Sequence, residues 1–297
     1  MENITYYAPA KINFSLRIGR KEPSGLHKIH SIMRRIGITD KISFKITENG
    51  YKVKVFPGAV LKNSGMEAGL QSISNENNIV AKAAKSFFNK LNIKNKGIHV
   101  LIEKNIPFNA GLGGGSSDGA GLLLKLNEAY NNILEKVELR KLALETGSDV
   151  PFFLTEGDAV VSGFGENIEE IKTGALPKYY IVLIMPDFGI STKEAYADYD
   201  DFLLTKNINY YNIQYLGFED LKFENDFEKV ILKKYPVLKE IKESLILNGA
   251  ELSLLSGSGS AIFGAFKTFI GANSYLNNLK SFHFYHRVHL SYLTETL

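Results

Sequence analysis

The segment between residues 107 and 118 has the residue types best suited to bind phosphate. It reads Pro-Phe-Asn-Ala-Gly-Leu-Gly-Gly-Gly-Ser-Ser-Asp and lies between a predicted strand, 98–103, and a predicted helix, 116–130. Glycines let backbone N–H groups approach an anion without an obstructing Cβ. A helix start adds unpaired N–H groups and the positive end of the helix dipole, and Ser116 and Ser117 add hydroxyls that cap the helix or contact phosphate oxygens. We therefore predict a phosphate site at this junction.

Other glycine motifs fit this segment less well. A P-loop needs Gly-Lys-Ser/Thr, whereas Ser116 follows Gly115 directly. A dinucleotide fingerprint belongs to the first βαβ unit of a doubly wound sheet, and the protein-kinase set lacks its HRD partner. A flexible turn is the remaining alternative, although a linker would not lie between a strand and a well-patterned helix.

Two further segments carry charged residues in unusual places. Lys11 and Asn13 are two residues apart on an apolar strand, so both face the same side. A Lys in such a strand is unusual without a partner; the alternative is an edge-strand Lys that faces water. Asp149 precedes Val150 and Pro151, just past a predicted helix end, where a turn or capping Asp is the usual alternative.

The elements that must position these residues are predicted strands and helices, which alternate along the chain. Apolar–polar alternation predicts strands, and 3.6-residue periodicity predicts helices. The predicted strands are 5–7, 11–18, 41–47, 52–56, 98–103, 179–185, 252–255, 261–266 and 287–290, and the predicted helices are 78–91, 116–130, 137–146, 227–235, 237–247 and 273–279. A loop is expected over 58–77. This mixture predicts an α+β protein with a boundary near residues 165–178.

Composition excludes several classes of protein. The 297 residues are 44% hydrophobic and 23% charged, which suits a globular protein with a sizeable core. There is no Cys, so disulfides, zinc–thiolate sites and a thiol nucleophile are excluded. A net charge of +3 is too mild to indicate nucleic-acid binding. No signal peptide pattern begins the sequence and no apolar run could span a bilayer, so we expect a soluble cytoplasmic protein.

Four motifs together resemble the GHMP small-molecule kinase superfamily over nearly the whole chain. They are Pro9-Ala-Lys-Ile-Asn13, Gly111-Leu-Gly-Gly-Gly-Ser-Ser-Asp118, Gly147-Ser-Asp-Val-Pro-Phe-Phe153 and Leu255-Ser-Gly-Ser-Gly-Ser260. Shorter matches, at 25–27, 225–228 and 248–250, fall in the expected order. The triple glycine with Asp118 is most similar to the diphosphocytidyl-methylerythritol kinase family within that superfamily.

The resemblance implies a two-lobed GHMP kinase fold. A ribosomal-protein-S5-like N-terminal lobe, 1–165, would bind ATP, and a ferredoxin-like C-terminal lobe, 166–297, would close over the substrate. The implied reaction is ATP-dependent phosphorylation of the 2-hydroxyl of cytidine diphosphate methylerythritol in non-mevalonate isoprenoid synthesis. Mg²⁺ would accompany ATP, with no protein ligand identified. No nucleic-acid or membrane partner is implied, and monomer and homodimer both remain open.

The same resemblance assigns roles to individual residues. Lys11 and Asp149 would be the catalytic pair. The ATP-binding residues would be Lys104, Pro107, Phe108, Asn109, Ala110, Gly111, Leu112, Gly113, Gly114, Gly115, Ser116 and Ser117. The substrate-binding residues would be Asn13, His27, Thr192, Tyr196, Gly257 and Ser258.

Several of these assignments have structural alternatives. Lys104 would otherwise be an exposed Lys at a strand end, and His27 a turn-capping His on the surface. Tyr196 could equally pack on a helix face instead of stacking on cytosine. Gly257 and Ser258 could form a plain β-turn.

The chain also departs from the family pattern. Leu26 replaces the aromatic residue that would flank the base, which removes about 1 kcal/mol of stacking. Phe108 and Asn109 are bulkier or more polar than the usual residues before the glycines. Homoserine-type or mevalonate-type kinase activity therefore remains an alternative, as does an inactive nucleotide-binding relative.

Overall fold

The structure, a computed structural model, describes residues 3–206 and 222–297. The chain forms two compact units, and neither is continuous in sequence. The first unit contains residues 1–10, 38–108 and 113–156, and the second contains residues 11–37, 109–112 and 157–297. The glycine segment, residues 107–117, is therefore divided between the two units. Residues 109–112 belong to the second unit, and residues 107–108 and 113–117 belong to the first.

Strands and helices are mixed along the whole described chain. In order they are β1 Ile4–Lys21, β2 His27–Thr47, β3 Tyr51–Pro57, α1 Ile79–Lys90, β4 Gly97–Lys104, α2 Gly114–Ala129, α3 Lys136–Thr146, β5 Ala159–Gly163, β6 Asn167–Glu170, β7 Tyr180–Pro186, α4 Thr192–Lys206, α5 Glu228–Lys234, α6 Pro236–Leu247, β8 Leu252–Leu255, β9 Ile262–Phe266, α7 Phe269–Asn278 and β10 Val288–Glu295. Short 3₁₀ helices occupy 67–73, 151–154, 279–281 and 283–287. The α+β prediction is confirmed.

The first unit packs helix α1 against β3 and β4, and β4 ends shortly before the glycine segment. Strand β4 pairs in parallel with β3 and antiparallel with residues 41–47 of β2. Helix α1 begins at Asn78, whose side chain accepts the Val80 N–H at 2.9 Å and so caps the helix. The buried positions of α1 include Ala84, Phe87 and Phe88, so its apolar face packs inward.

The second unit contains an antiparallel sheet in the order β10-β7-β9-β8. Residues 29–33 of β2 pair with β5, which pairs with β6. Apolar residues of β7 and of helices α4 to α7 form one buried cluster that includes Val182, Tyr199, Ile231, Leu245 and Tyr275. This core fixes the start of α4 and the turn between β8 and β9, which carry predicted substrate residues.

Most predicted elements are present within a few residues of their expected bounds. Four features were not predicted: residues 27–40 of β2, strands β5 and β6, and helix α4. Helix α7 also begins four residues earlier than expected, at Phe269. Within the two described ranges, no helix is long and apolar enough to cross a membrane.

Candidate active site

The start of α2 leaves backbone N–H groups without a side-chain cap. Its N-cap is Gly113, with φ of +67°, and no side chain bonds there. Glycine adopts this left-handed conformation at little cost. Ser117 in the first turn is buried, and its Oγ has no hydrogen-bond partner among the residues that the structure describes. The first turn therefore offers N–H groups and a hydroxyl of the kind that bind an anion.

Lys104 ends β4 inside a buried ionic cluster of the first unit. Its Nζ forms ion pairs with Asp40 and with Asp118 Oδ2, the latter at 2.8 Å. Asp40 Oδ1 also accepts the Asn105 and Ile106 N–H groups at 2.6 and 2.8 Å. The exposed strand-end alternative for Lys104 is therefore wrong, since only 3% of the residue is exposed. Its contact with nucleotide stays a prediction.

The cluster shifts the titration of its members. Burial raises the pKa of Asp118 to about 8, and the nearby charge of Lys104 opposes that shift. Burial alone would lower the pKa of Lys104, but Asp118 and Asp40 outweigh it and raise that pKa above its ordinary value. Lys104 therefore stays cationic, and its ammonium is held by Asp40 on β2 and by Asp118 at the start of α2.

Asp149 lies in the turn that follows α3, as the sequence predicted. The turn closes with the Val150 N–H donating to the Gly147 carbonyl at 3.1 Å, and Pro151 then begins a short 3₁₀ helix. Asp149 is half-buried. Its position just past a helix end is confirmed, and its catalytic role stays a prediction.

Lys11 and Asn13 lie side by side in the second unit. Lys11 Nζ donates to Asn13 Oδ1 at 2.8 Å, and Asn13 Nδ2 donates to Ser31 Oγ at 2.8 Å. The prediction that both face one side of β1 is confirmed. The water-facing alternative for Lys11 is wrong, because Lys11 is 3% exposed. The backbone N–H of Lys11 also donates to the Leu112 carbonyl at 2.9 Å, which joins β1 to the glycine segment.

A cavity of about 400 Å³ lies in the second unit beside this segment. It is lined by Asn109, Gly111, Gly189, Ile190, Ser191, Thr192 and Gly259. Three of these, Asn109, Gly111 and Thr192, were predicted site residues. The residues at 189–191 were missed, although a Gly-Ile-Ser-Thr run soon after a strand-ending Pro is a signal that could have directed attention to them.

The turn between β8 and β9 packs against the glycine segment. Ser256 Oγ donates to the Gly111 carbonyl at 2.9 Å. A Cβ on Gly257 would lie 3.3 Å from Gly111 Cα, so the two backbones are nearly in contact. Ser258 Oγ and Thr192 Oγ1 are hydrogen-bonded at 2.9 Å. The turn thus joins predicted ATP-binding and substrate-binding residues, although its contact with substrate stays a prediction.

His27 and Tyr196 stack on each other in the second unit, with ring centroids 4.8 Å apart and planes inclined by 13°. His27 Nδ1 lies 3.0 Å from the Gly19 carbonyl oxygen, and Nε2 lies 3.3 Å from Asp200 Oδ1. His27 is buried, so the surface alternative is wrong. Tyr196 also packs edge-on against Phe227, as the helix-packing alternative requires.

This stack bears on pyrimidine binding. The ring separation leaves no room for a base between His27 and Tyr196, so a base would stack on an outer face or separate the rings. Leu26 is 58% exposed beside them. Contact of either ring with a pyrimidine stays a prediction.

The predicted catalytic pair is divided between the two units. Lys11 belongs to the second unit and Asp149 to the first, so their pairing stays a prediction. Across residues 3–206 and 222–297, no group of three or more His, Asp or Glu side chains could hold a metal ion.

Substituting Gly111 tests the close approach to the β8–β9 turn. Gly111 has φ of +75°, and a Cβ there would overlap the Ser256 carbonyl oxygen. We expect Gly111→Ala to lower the free energy of unfolding by about 2–4 kcal/mol, from about 1 kcal/mol of left-handed strain and about 1–3 kcal/mol of overpacking. Gly174→Ala is the matched control, since it has φ of +83° and no atom near its Cβ. Equal losses in urea unfolding would contradict the close approach.

The pH dependence of stability tests the buried cluster. The Asp118 carboxyl loses its proton near its ordinary pKa of about 3.9 when unfolded and near about 8 when folded. The stability from this group is therefore present below pH 4 and is lost as the pH rises through 8. We expect the difference in free energy of unfolding between the wild type and Asp118→Asn to shrink from pH 5 to pH 9.

Urea unfolding at several pH values measures this difference. Glu128→Gln is the control, because Glu128 is an exposed residue paired with Lys125. Its difference from the wild type should stay nearly constant over the same range. A wild-type advantage over Asp118→Asn that grows with pH would contradict the account.

Comparisons with known proteins identify the family of this chain. The GHMP kinases N terminal domain family matches residues 78–157, and the GHMP kinases C terminal family matches residues 213–285. The chain is 37% identical over 263 residues to a 4-diphosphocytidyl-2-C-methyl-D-erythritol kinase of Syntrophus aciditrophicus, covering 88% of each chain. It is 38% identical over 273 residues to the enzyme of the same name from Thermodesulfovibrio yellowstonii, covering 89% of this chain and 90% of that one.

Solved structures agree on the fold. A crystal structure of 4-(cytidine 5'-diphospho)-2C-methyl-D-erythritol kinase superimposes with a TM-score of 0.71 at 25% identity, covering 99% of both chains. A homoserine kinase from Cytophaga hutchinsonii gives a TM-score of 0.67 at 16% identity, covering all of this chain and 95% of that one, which shows the shared fold alone. The expected two-lobed GHMP kinase fold is thereby confirmed, and the chain belongs to the 4-diphosphocytidyl-2-C-methyl-D-erythritol kinase family of GHMP small-molecule kinases.

Proposed function

We propose that this small-molecule kinase transfers the γ-phosphoryl group of ATP to the 2-hydroxyl of 4-diphosphocytidyl-2-C-methyl-D-erythritol, a step of non-mevalonate isoprenoid synthesis. The observation that carries the proposal is the hydrogen bond from the Lys11 N–H to the Leu112 carbonyl. This bond joins β1, the strand that carries the buried Lys11 ammonium, to the glycine segment, which is suited to bind phosphate. The names of the relatives supply the substrate.

The proposed chemistry needs a base and a cation at the transferred group. Asp149 orients the acceptor hydroxyl and takes its proton as the oxygen attacks the γ-phosphorus. The bond between that phosphorus and the bridging oxygen of ADP breaks, and ADP leaves. Lys11 stabilises charge on the transferred group. Asn13 holds the Lys11 ammonium by its 2.8 Å hydrogen bond.

The ATP phosphates are proposed to lie at the glycine segment, residues 107–117. The uncapped N–H groups at the start of α2 would donate to phosphate oxygens. Lys104 contributes indirectly, since its Nζ is held by two carboxyl groups and a Cβ on Gly114 would lie 3.0 Å from it. The cluster therefore fixes the backbone at the start of the helix.

Magnesium is proposed to accompany ATP, and the residues present fit a nucleotide-borne ion. Mg²⁺ in kinases is held by substrate phosphates with few protein oxygens. Ser117 Oγ, in the first turn of α2, is a buried oxygen that no described residue bonds, and it would supply one ligand. When bound, Mg²⁺ would neutralise charge on the phosphate oxygens.

The acceptor is proposed to occupy the cavity beside Thr192. Asn13 would contact the erythritol hydroxyls, and Gly257 and Ser258 would border the acceptor. His27 and Tyr196 would contact the cytosine ring, with Leu26 as an apolar neighbour. Tyr196 lies one helical turn from Thr192 on α4, which supports a single continuous acceptor site.

We also propose that the ATP-binding lobe covers residues 1–165 and the substrate-closing lobe covers residues 166–297. The two family matches, 78–157 and 213–285, fall one in each range.

Phosphoryl transfer by the purified chain tests the proposal. ADP release is measured with ATP, Mg²⁺ and one of three acceptors: the cytidine diphosphate methylerythritol, homoserine or mevalonate. We expect turnover with the first acceptor only. Turnover with homoserine or mevalonate alone would overturn the substrate, and ATP binding without turnover on any acceptor would support a binding protein instead.

Asp149→Asn tests the proposed base. We expect kcat to fall by about 100-fold or more, a loss typical of a catalytic acid–base group, with ATP affinity little changed. Glu156→Gln, an exposed acid seven residues away, should keep wild-type kcat. A near-normal kcat in Asp149→Asn would remove this carboxylate from the mechanism.

A further inference from the structure

Within residues 225–228, Asn-Asp-Phe-Glu, only Phe227 has been described so far, yet the three polar residues bind several elements of the second unit. Asn225 and Asp226 are almost fully buried. Both precede α5 directly, and Asn225 also forms a parallel bridge with Leu16 of β1. Buried polar side chains are costly unless they are hydrogen-bonded, so the partners of these residues indicate what they do.

All the hydrogen-bonding groups of the Asn225 side-chain amide are bonded, and its two N–H groups bind the β8–β9 turn. Nδ2 donates to the Leu255 carbonyl at 2.8 Å and to the Gly257 carbonyl at 2.7 Å. Oδ1 accepts the Phe227 N–H at 3.0 Å. An amide has two N–H donors and one acceptor oxygen, so Asn225 is fully bonded. A carboxylate of the same shape could not replace it, because it would face two carbonyl oxygens without a donor.

The neighbouring acids bind the same segment to β1 and β8. Asp226 Oδ2 accepts the Ile18 N–H at 2.8 Å, and Oδ1 accepts Lys229 Nζ at 2.6 Å. Glu228 Oε1 accepts the Leu255 N–H at 2.8 Å. The segment therefore fixes the β8–β9 turn relative to β1, the strand that carries Lys11 and Asn13.

The turn that Asn225 holds borders the proposed reacting groups. A Cβ on Gly257 would lie 3.3 Å from Gly111 and 3.6 Å from Asn13 Oδ1, which is the atom that accepts the Lys11 ammonium. Ser256 donates to Gly111 in the same turn. A small displacement of Gly257 would therefore move the glycine segment or the Asn13 side chain.

We propose that Asn225 is a positioning residue for phosphoryl transfer, which acts by holding the Leu255 and Gly257 carbonyls so that the turn fixes Gly111 and Asn13. This inference rests on the proposed function. Asn225 itself need not touch substrate or ATP. Misplacing reacting groups by about 1 Å can cost 100-fold in rate, so a residue outside the reacting groups can control kcat.

Asn225→Asp is the test, and Asn127→Asp is its matched control. Asn127 is also buried, donates to the Leu134 carbonyl at 3.0 Å and accepts the Leu134 N–H at 2.9 Å, but it lies at the far end of α2 in the first unit. Both variants are assayed at a temperature where each is fully folded by its own unfolding curve, so lost stability alone does not lower kcat.

We expect Asn225→Asp to lower kcat by about 10- to 100-fold with the KM for ATP within about threefold of the wild type. Asn127→Asp should keep kcat within about threefold. Hydrogen exchange of peptides covering 252–262 should speed up in Asn225→Asp and not in Asn127→Asp, since the Gly259 N–H bond to the Ser256 carbonyl lies in that turn. This exchange is independent of the identity of the acceptor.

The outcomes separate the two proposals. If the wild type is active and the kcat of Asn225→Asp lies within threefold of that of Asn127→Asp, the positioning role is overturned and the proposed function stays intact. A wild type that binds ATP and phosphorylates none of the acceptors overturns the proposed function, and this inference with it. If Asn225→Asp does not fold, Asn225→Ala replaces it with the same expected loss of kcat.

Discussion

The contact between Gly111 and the β8–β9 turn is the constraint on which the second-unit part of the site depends. Any side chain at 111 would overlap the Ser256 carbonyl, and Gly257 lies against Gly111 on the same side. Three hydrogen bonds then use this proximity: Ser256 Oγ to Gly111, Lys11 N–H to Leu112, and Asn225 to Gly257. The glycine segment is therefore held in place by backbone groups and by short side chains, which move less than long ones.

In the first unit, the charged groups beside the start of α2 are buried and paired with one another. Lys104, which the resemblance places near nucleotide, has its charge balanced by Asp40 and Asp118. Removing one partner of such a buried pair is strongly destabilising, because it leaves a charge without compensation. The cluster is best explained as the anchor of the α2 start. In the proposed function, attraction for phosphate comes mainly from the N–H groups and dipole of the helix.

Sequence patterns predicted most strands and helices, including the buried strands β7 and β9, and missed residues 27–40 of β2, strands β5 and β6, and helix α4. Residues 27–40 of β2 have little alternation because most of them are buried, and β5 is buried at Ala159 to Ser162. Helix α4 was missed because its Lys, Glu, Asp and Tyr residues mark no clear apolar face. Strand β6 has four mostly exposed residues, too short a run to show a pattern.

The site was predicted to the extent that its chemistry is local in sequence. The shared face of Lys11 and Asn13 follows from strand geometry, and the uncapped helix start follows from the glycines. The bonds of Asn225 to residues 30 and 32 positions later, and of Lys104 to Asp40, depend on tertiary packing that no local spacing encodes. Burial also decided against water-facing roles for Lys11, Lys104 and His27, which the sequence had left open.

The central claim is that backbone N–H groups of the glycine segment bind the ATP phosphates. Selective ¹⁵N-glycine labelling makes the 26 glycine amides observable by NMR. Addition of ATP should shift the amide resonances of Gly111, Gly113, Gly114 and Gly115, while Gly50 and Gly174, whose surroundings are open, stay unchanged. Saturable ATP binding that leaves all four resonances in place would contradict the claim.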